Sequence, residues 1–105
     1  MTDKVIVITT AGSHTEARRI ADVLLERRLA ACINLVPGVE SVYRWEGKVE
    51  ESEEWLMLIK TTSAAFERVR DAIRELHSYK LPECACIPID CGIPDYLNWI
   101  GDCVE

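Results

Sequence analysis

One stretch limits what this chain can fold into more than any other: Leu29 to Lys48, LAACINLVPGVESVYRWEGK. It opens with a nearly continuous apolar run from Leu29 to Val36, which predicts a central strand. Pro37 then removes a backbone donor and Gly38 admits unusual backbone angles, so a bulge or kink is expected there. Beyond the bend the residues alternate. Val39, Ser41, Tyr43 and Trp45 face one way, and Glu40, Val42 and Arg44 the other. A two-residue turn at Glu46-Gly47 sends the chain back along Val49 to Thr62. It sets Trp45 opposite Lys48, Tyr43 opposite Glu50, Ser41 opposite Ser52 and Val39 opposite Glu54. Glu-Gly is a weaker pair for such a turn than Asn-Gly or Asp-Gly. Each arm of this hairpin runs about 14 residues, roughly 45 Å when extended. A globule of this chain length has a radius of gyration of about 13 Å and a diameter of about 33 Å. The outer hairpin must therefore curl over or project. A lone ribbon is marginally stable, and its free edges and aromatic residues invite aggregation. Docking on copies of the same chain in a closed ring removes both problems, so a homo-oligomer is expected.

The rest of the chain supplies a frame for that hairpin. Val5 to Ile8 is a β-branched run that predicts a buried strand, followed by a loop from Thr9 to Gly12. Ser13 and Glu16 fit a capping box. Ala17, Ile20, Ala21, Leu24 and Leu25 then recur at helical spacing. After the hairpin, Ser63 is placed to cap a second helix with Phe66, Val69, Ile73 and Leu76 on its apolar stripe. A loop from Tyr79 to Pro82 leads to a last strand, Glu83 to Asp90, which Pro88 confines to an edge or a bulge. Asp95 to Cys103 reads as a short closing helix. The order β-α-β-β-α-β with two helices split by a hairpin is the ferredoxin-like signature. The expectation is an α+β, ferredoxin-like βαββαβ sandwich with a long central hairpin and a short C-terminal helix, forming one domain over residues 1–105.

Charge and cysteine usage exclude several functions. The net charge is −6, which repels phosphate backbones and argues against nucleic acid as a partner. No apolar run approaches the length of a membrane span, and the opening MTDK is not the basic start of a signal peptide. Five cysteines without an export signal read as reduced thiols in a cytoplasmic protein. No phosphate-cradling glycine motif, nucleophile elbow or Cys-x-x-Cys pair is present. No catalytic set can be assigned, and a binding protein rather than an enzyme is expected.

The softer candidates are thiols and one imidazole. Cys84 and Cys86 alternate on the last strand and so share a face. With His77, at the end of the second helix, they form a ligand set suited to Cu(I) or zinc. The plainer reading takes buried cysteines as small hydrophobes and His77 as a helix-terminal cation or a satisfied polar group. Cys32 lies in an apolar run and reads the same way. The acidic run Glu50, Glu51, Glu53 and Glu54 is a solvated arm, or a partner for Arg44 or Lys48 of a neighbouring copy.

Arg28-Leu29-Ala30-Ala31-Cys32-Ile33-Asn34, then Pro37-Gly38, then Ser41 to Lys48, resembles the CutA family of divalent-cation tolerance proteins. The likeness continues at Glu50, Glu54 and Leu58-Ile59-Lys60-Thr61. It resumes at His77-x-Tyr79, Pro82-Glu83, Pro88-Ile89 and Tyr96-Leu97-x-Trp99-Ile100. The resemblance implies a ferredoxin-like homotrimer whose hairpins pair between subunits, similar to the PII signalling proteins. It implies a cytoplasmic protein of metal-ion response that binds copper or a similar divalent ion. It also implies a cleft between subunits, lined by Trp45, Glu54, Lys60, Tyr79 and Glu83; a PII-like sensor binding a small anionic metabolite there is the alternative to metal binding. Two departures stand out. Thr9 occupies the strand end where copper-binding relatives carry a cysteine. His77-Ser78-Tyr79-Lys80 replaces the family's His-Pro-Tyr-acidic motif.

Overall fold

The computed structural model describes residues 2–105. Its elements are β1 (Lys4–Ala11), α1 (His14–Glu26), β2 (Cys32–Trp45), β3 (Lys48–Thr62), α2 (Phe66–Leu76), β4 (Ala85–Pro88) and α3 (Pro94–Cys103). The four strands form one sheet in the order β2-β3-β1-β4, antiparallel throughout. This is the ferredoxin-like arrangement expected from the element order.

Alternation along the strands sorts the sheet into two unlike faces. On one, Val5, Val7, Ala11, Met57 and Ile59 are buried with Ala17, Ile20 and Leu24 of α1 and Val69 and Ile73 of α2. On the other, Ile6, Ile8, Leu56, Leu58 and Lys60 are only half-buried. Here α3 covers one end: Ile100 is buried, and Gly101 lies against the Lys4 side chain. Among the described residues no helix is long and apolar enough to cross a membrane.

The hairpin follows the expected register residue for residue, from Val39↔Glu54 through Ser41↔Ser52 and Tyr43↔Glu50 to Trp45↔Lys48. The bulge also lies where expected: Val36 faces Leu56 and Val39 faces Glu54, so Pro37 and Gly38 together oppose Trp55 alone. Gly38 has φ 71°, a conformation in which a side chain is strained. The extra residue changes the parity of β2. Before it the even-numbered residues share a face with Leu56 and Leu58; after it Val39, Ser41, Tyr43 and Trp45 do so with Glu54.

Four boundaries differ from expectation. β2 begins at Cys32 rather than Leu29 and lies at the edge of the sheet, not its centre; Leu29 and Ala30 are buried in the link from α1 instead. β1 runs on to Ala11, because its pairing with β3 continues to Ala11↔Trp55. The second helix opens on a short 3₁₀ turn, Ser63–Ala65, and its capping oxygen belongs to Thr62, which accepts from the Ala65 N–H. The last strand is only four residues, Ala85–Pro88, pairing Val5↔Pro88 through Ile8↔Ala85. Pro88 brings no N–H to extend it.

Candidate functional site

The site begins where α2 ends. His77 leaves helical geometry, with ψ 141°, and turns its ring into the protein, where it is 8% exposed. Its Nε2 lies 2.6 Å from the Thr10 carbonyl oxygen, and its Nδ1 lies 3.1 Å from the Tyr79 backbone nitrogen. A carbonyl only accepts and a backbone N–H only donates, so Nε2 carries the proton and Nδ1 is the acceptor. Both ring nitrogens are committed to holding the turn. The next residue is tied down as well: the Ser78 N–H donates to Glu16 Oε2 over 2.8 Å. Burial pushes the Glu16 carboxyl up, but the hydrogen bonds from Ser78 outweigh it and leave the group below its ordinary value.

This anchored turn aims Tyr79 at the base of the hairpin. Its ring rests on the His77 ring, centroids 4.5 Å apart, and its hydroxyl donates to Glu54 Oε2 over 2.7 Å. Gly12 leaves room for it, since a Cβ there would stand 3.1 Å from the hydroxyl oxygen. Glu54 is 6% exposed, a carboxylate held almost out of water beside a neutral donor. Burial, and then the hydrogen bond to Glu54, raise the Tyr79 phenol well above its ordinary value. The phenol therefore stays protonated and keeps donating.

Around this pair lies a cleft of about 750 Å³. The β2 arm contributes Ser41, Val42, Tyr43, Arg44 and Trp45, and the loop after α2 contributes Lys80, Leu81, Pro82 and Glu83. The bulge is what turns Ser41, Tyr43 and Trp45 to the face that Glu54 occupies. Thr9 fastens the far side: buried, it donates from its hydroxyl to the Glu83 carbonyl over 2.6 Å. Thr9 therefore serves as a loop anchor. The volume falls within the range of small-molecule sites, and the lining mixes aromatic, basic and acidic groups.

The expectation concerned a cleft between subunits; within the single chain, Trp45, Glu54, Tyr79 and Glu83 meet around this pocket and Lys60 lies outside it. Lys60 sits farther along β3, opposite Cys32, with its ammonium hydrogen-bonded to Asn34 Oδ1. Arg44 and Lys80 supply the positive charge in its place. Lys80 was visible in sequence as the departure from the acidic end of the His-Pro-Tyr motif; Arg44 was read as an outward-facing hairpin residue that could pair with a neighbour's acidic run, not as a cleft residue.

The thiol and imidazole candidates do not converge. Cys86 is exposed and opposite Val7, and Cys84 is half-buried against the core. Burial pushes both thiols up. Among the described residues no three His, Cys, Asp or Glu side chains gather as a metal group. A three-ligand set of His77, Cys84 and Cys86 therefore does not assemble within the chain, and His77 would have to give up two hydrogen bonds to join one. Cys32 lies 3.7 Å from the Tyr96 hydroxyl.

A ferredoxin-like sheet with an overlong, bulged hairpin and a cleft at its base defines a narrow class of protein, and comparison with known proteins gives that class a name. The family model described as CutA1 divalent ion tolerance protein matches residues 5–103. The divalent-cation tolerance protein CutA of Thermus thermophilus is 46% identical over 92% of this chain and 94% of its own length. That of Archaeoglobus fulgidus is also 46% identical, over 94% and 96%. The crystal structure of CutA from Xylella fastidiosa superposes with a TM-score of 0.96 at 36% identity, covering 99% of this chain and 100% of that one. The chain belongs to the CutA1 divalent ion tolerance family.

Proposed function

We propose that this chain serves divalent-cation tolerance as a cytoplasmic homotrimer, and that its working site is the cleft at the base of the hairpin, completed by a neighbouring subunit and occupied by a small anionic metabolite in the manner of a PII-like sensor. The observation that carries this reading is the Glu54–Tyr79 pair, buried at the back of a cleft that Arg44 and Lys80 also line. A carboxylate kept out of water with a fixed donor is a costly arrangement that suits a recognition site. The trimer is supported by the uncovered sheet face around Ile8, Leu56 and Leu58 and by the bare apolar residues of the hairpin, Val42, Tyr43 and Val49. A reducing compartment suits the five cysteine thiols.

Copper or a similar divalent ion is the alternative occupant, favoured by the two carboxylates Glu54 and Glu83 in the same lining. Thermal-shift titrations with citrate, ATP, Cu(II) and Zn(II) separate the two. The metabolite reading expects an anion to raise the midpoint and the shift to disappear in Arg44→Ala and Lys80→Ala. Stabilisation by metal ions alone, lost in Glu54→Gln, establishes the metal reading in its place. Silence from every probe overturns both.

A further inference from the structure

The edge strand β4 carries chemistry that the cleft does not use. Cys86 stands opposite Val7, and Val7 points to the helix-covered face of the sheet. Cys84, two residues earlier and just before β4, packs against that core. Cys84 is thus held in place while Cys86 remains open to solvent. The pair lies on the face opposite Ile8, Leu56 and Leu58, so a trimer built on that uncovered face leaves it accessible.

Spacing and ligand count decide what such a pair can hold. Successive same-face residues of a strand have Cα atoms roughly 6.5–7 Å apart, at the far limit of what a disulfide spans. A metal ion between the sulfurs relaxes that demand: with metal–sulfur bonds of about 2.3 Å the sulfurs stand roughly 4.6 Å apart. Zinc needs four ligands, and no third His, Cys, Asp or Glu joins the pair to make a metal group among the described residues. Thiolates favour soft ions, Cu(I) among them.

We propose that Cys84 and Cys86 form a two-coordinate thiolate site for Cu(I), separate from the cleft and without His77. Binding forms two metal–sulfur bonds and releases the two thiol protons to solvent, with no change in oxidation state.

The test is anaerobic competition for Cu(I) against a chromophoric chelator, using the full chain. One Cu(I) per chain is expected. Cys86→Ser alters an exposed side chain and is expected to weaken binding at least ~100-fold, above the loss typical of outer-shell changes. Cys84→Ala should do the same, with circular dichroism confirming its fold. The triple variant Cys32→Ser/Cys91→Ser/Cys103→Ser and the cleft variant Glu54→Gln should bind as the wild type does, which keeps this site distinguishable from the cleft. Undiminished binding in Cys86→Ser, loss of binding in the triple variant, or failure of the wild type to take up Cu(I) overturns the proposal.

Discussion

The inner and outer halves of the hairpin are made from the same two strands, yet their surroundings differ completely. From Leu56 to Lys60, β3 is paired on both sides, by β2 and β1, and Met57 and Ile59 lie under the helices with no exposure. From Lys48 to Glu54 it is paired by β2 alone. There Val42 and Val49 are 62% and 65% exposed. The outer half draws the molecule out to 44 Å against 26 and 23 Å in the other directions. It also places like charges opposite one another at Glu40 and Glu53, a pairing that costs stability. The inner half is built to hold the chain together. The outer half leaves Val42 and Val49 bare while lending Ser41 to Trp45 to the cleft. The two meet at the bulge, and the cleft lies at that junction.

The largest expected effect breaks the inner half. Ile59→Ala opens a cavity in a fully buried layer and should lower unfolding stability by about 2–5 kcal/mol. Val49→Ala, on the same strand, should change the stability of the isolated chain by no more than about 0.5 kcal/mol. Denaturant unfolding of the two variants checks the contrast; equal losses would erase the distinction.

The junction comes next. Tyr79→Phe leaves Glu54 buried without its donor and should cost about 1–3 kcal/mol. The same contact predicts a pH dependence. The Tyr79 phenol is raised in the folded state above its ordinary value of 10. Below pH 10 both folded and unfolded chains keep that proton, and the phenol contributes no slope. Above it the unfolded chain gives up the proton first, so stability falls as pH rises. Alkaline melting curves should show this fall and its reduction in Tyr79→Phe.

The smallest effect lies at the tip. Glu46 and Gly47 have φ of 50° and 80°, the two positive values of a type I′ turn. Glutamate is strained there and asparagine is not, so Glu46→Asn should stabilise the hairpin by roughly 0.5–1 kcal/mol, read from the unfolding midpoint.

The inner and outer hairpin were also legible to different degrees. Register and bulge could be read from Val39 to Glu54 because alternation, one Pro-Gly pair and one short turn leave a single consistent pairing. The frame of helices followed from spacing in the same way. The site was harder. The partner of His77 is a carbonyl 67 residues away in sequence, and no side-chain pattern reports on a carbonyl. Lys80 was visible only as a departure from the family motif, and the path of the loop after α2 is what brings it to the cleft. Only Cys86 lies on β4, with Cys84 just before it, and His77 was grouped with them by ligand chemistry alone.

The claim beneath the rest is that the outer hairpin exists for contact between copies. Sedimentation equilibrium of the wild type beside Tyr43→Asp/Val49→Asp tests it most directly, because both substitutions lie beyond the core. A trimer of the 11.9 kDa chain is predicted for the wild type, and a folded monomer for the variant. A wild type that sediments as a monomer, or a variant that remains a trimer, would contradict the account.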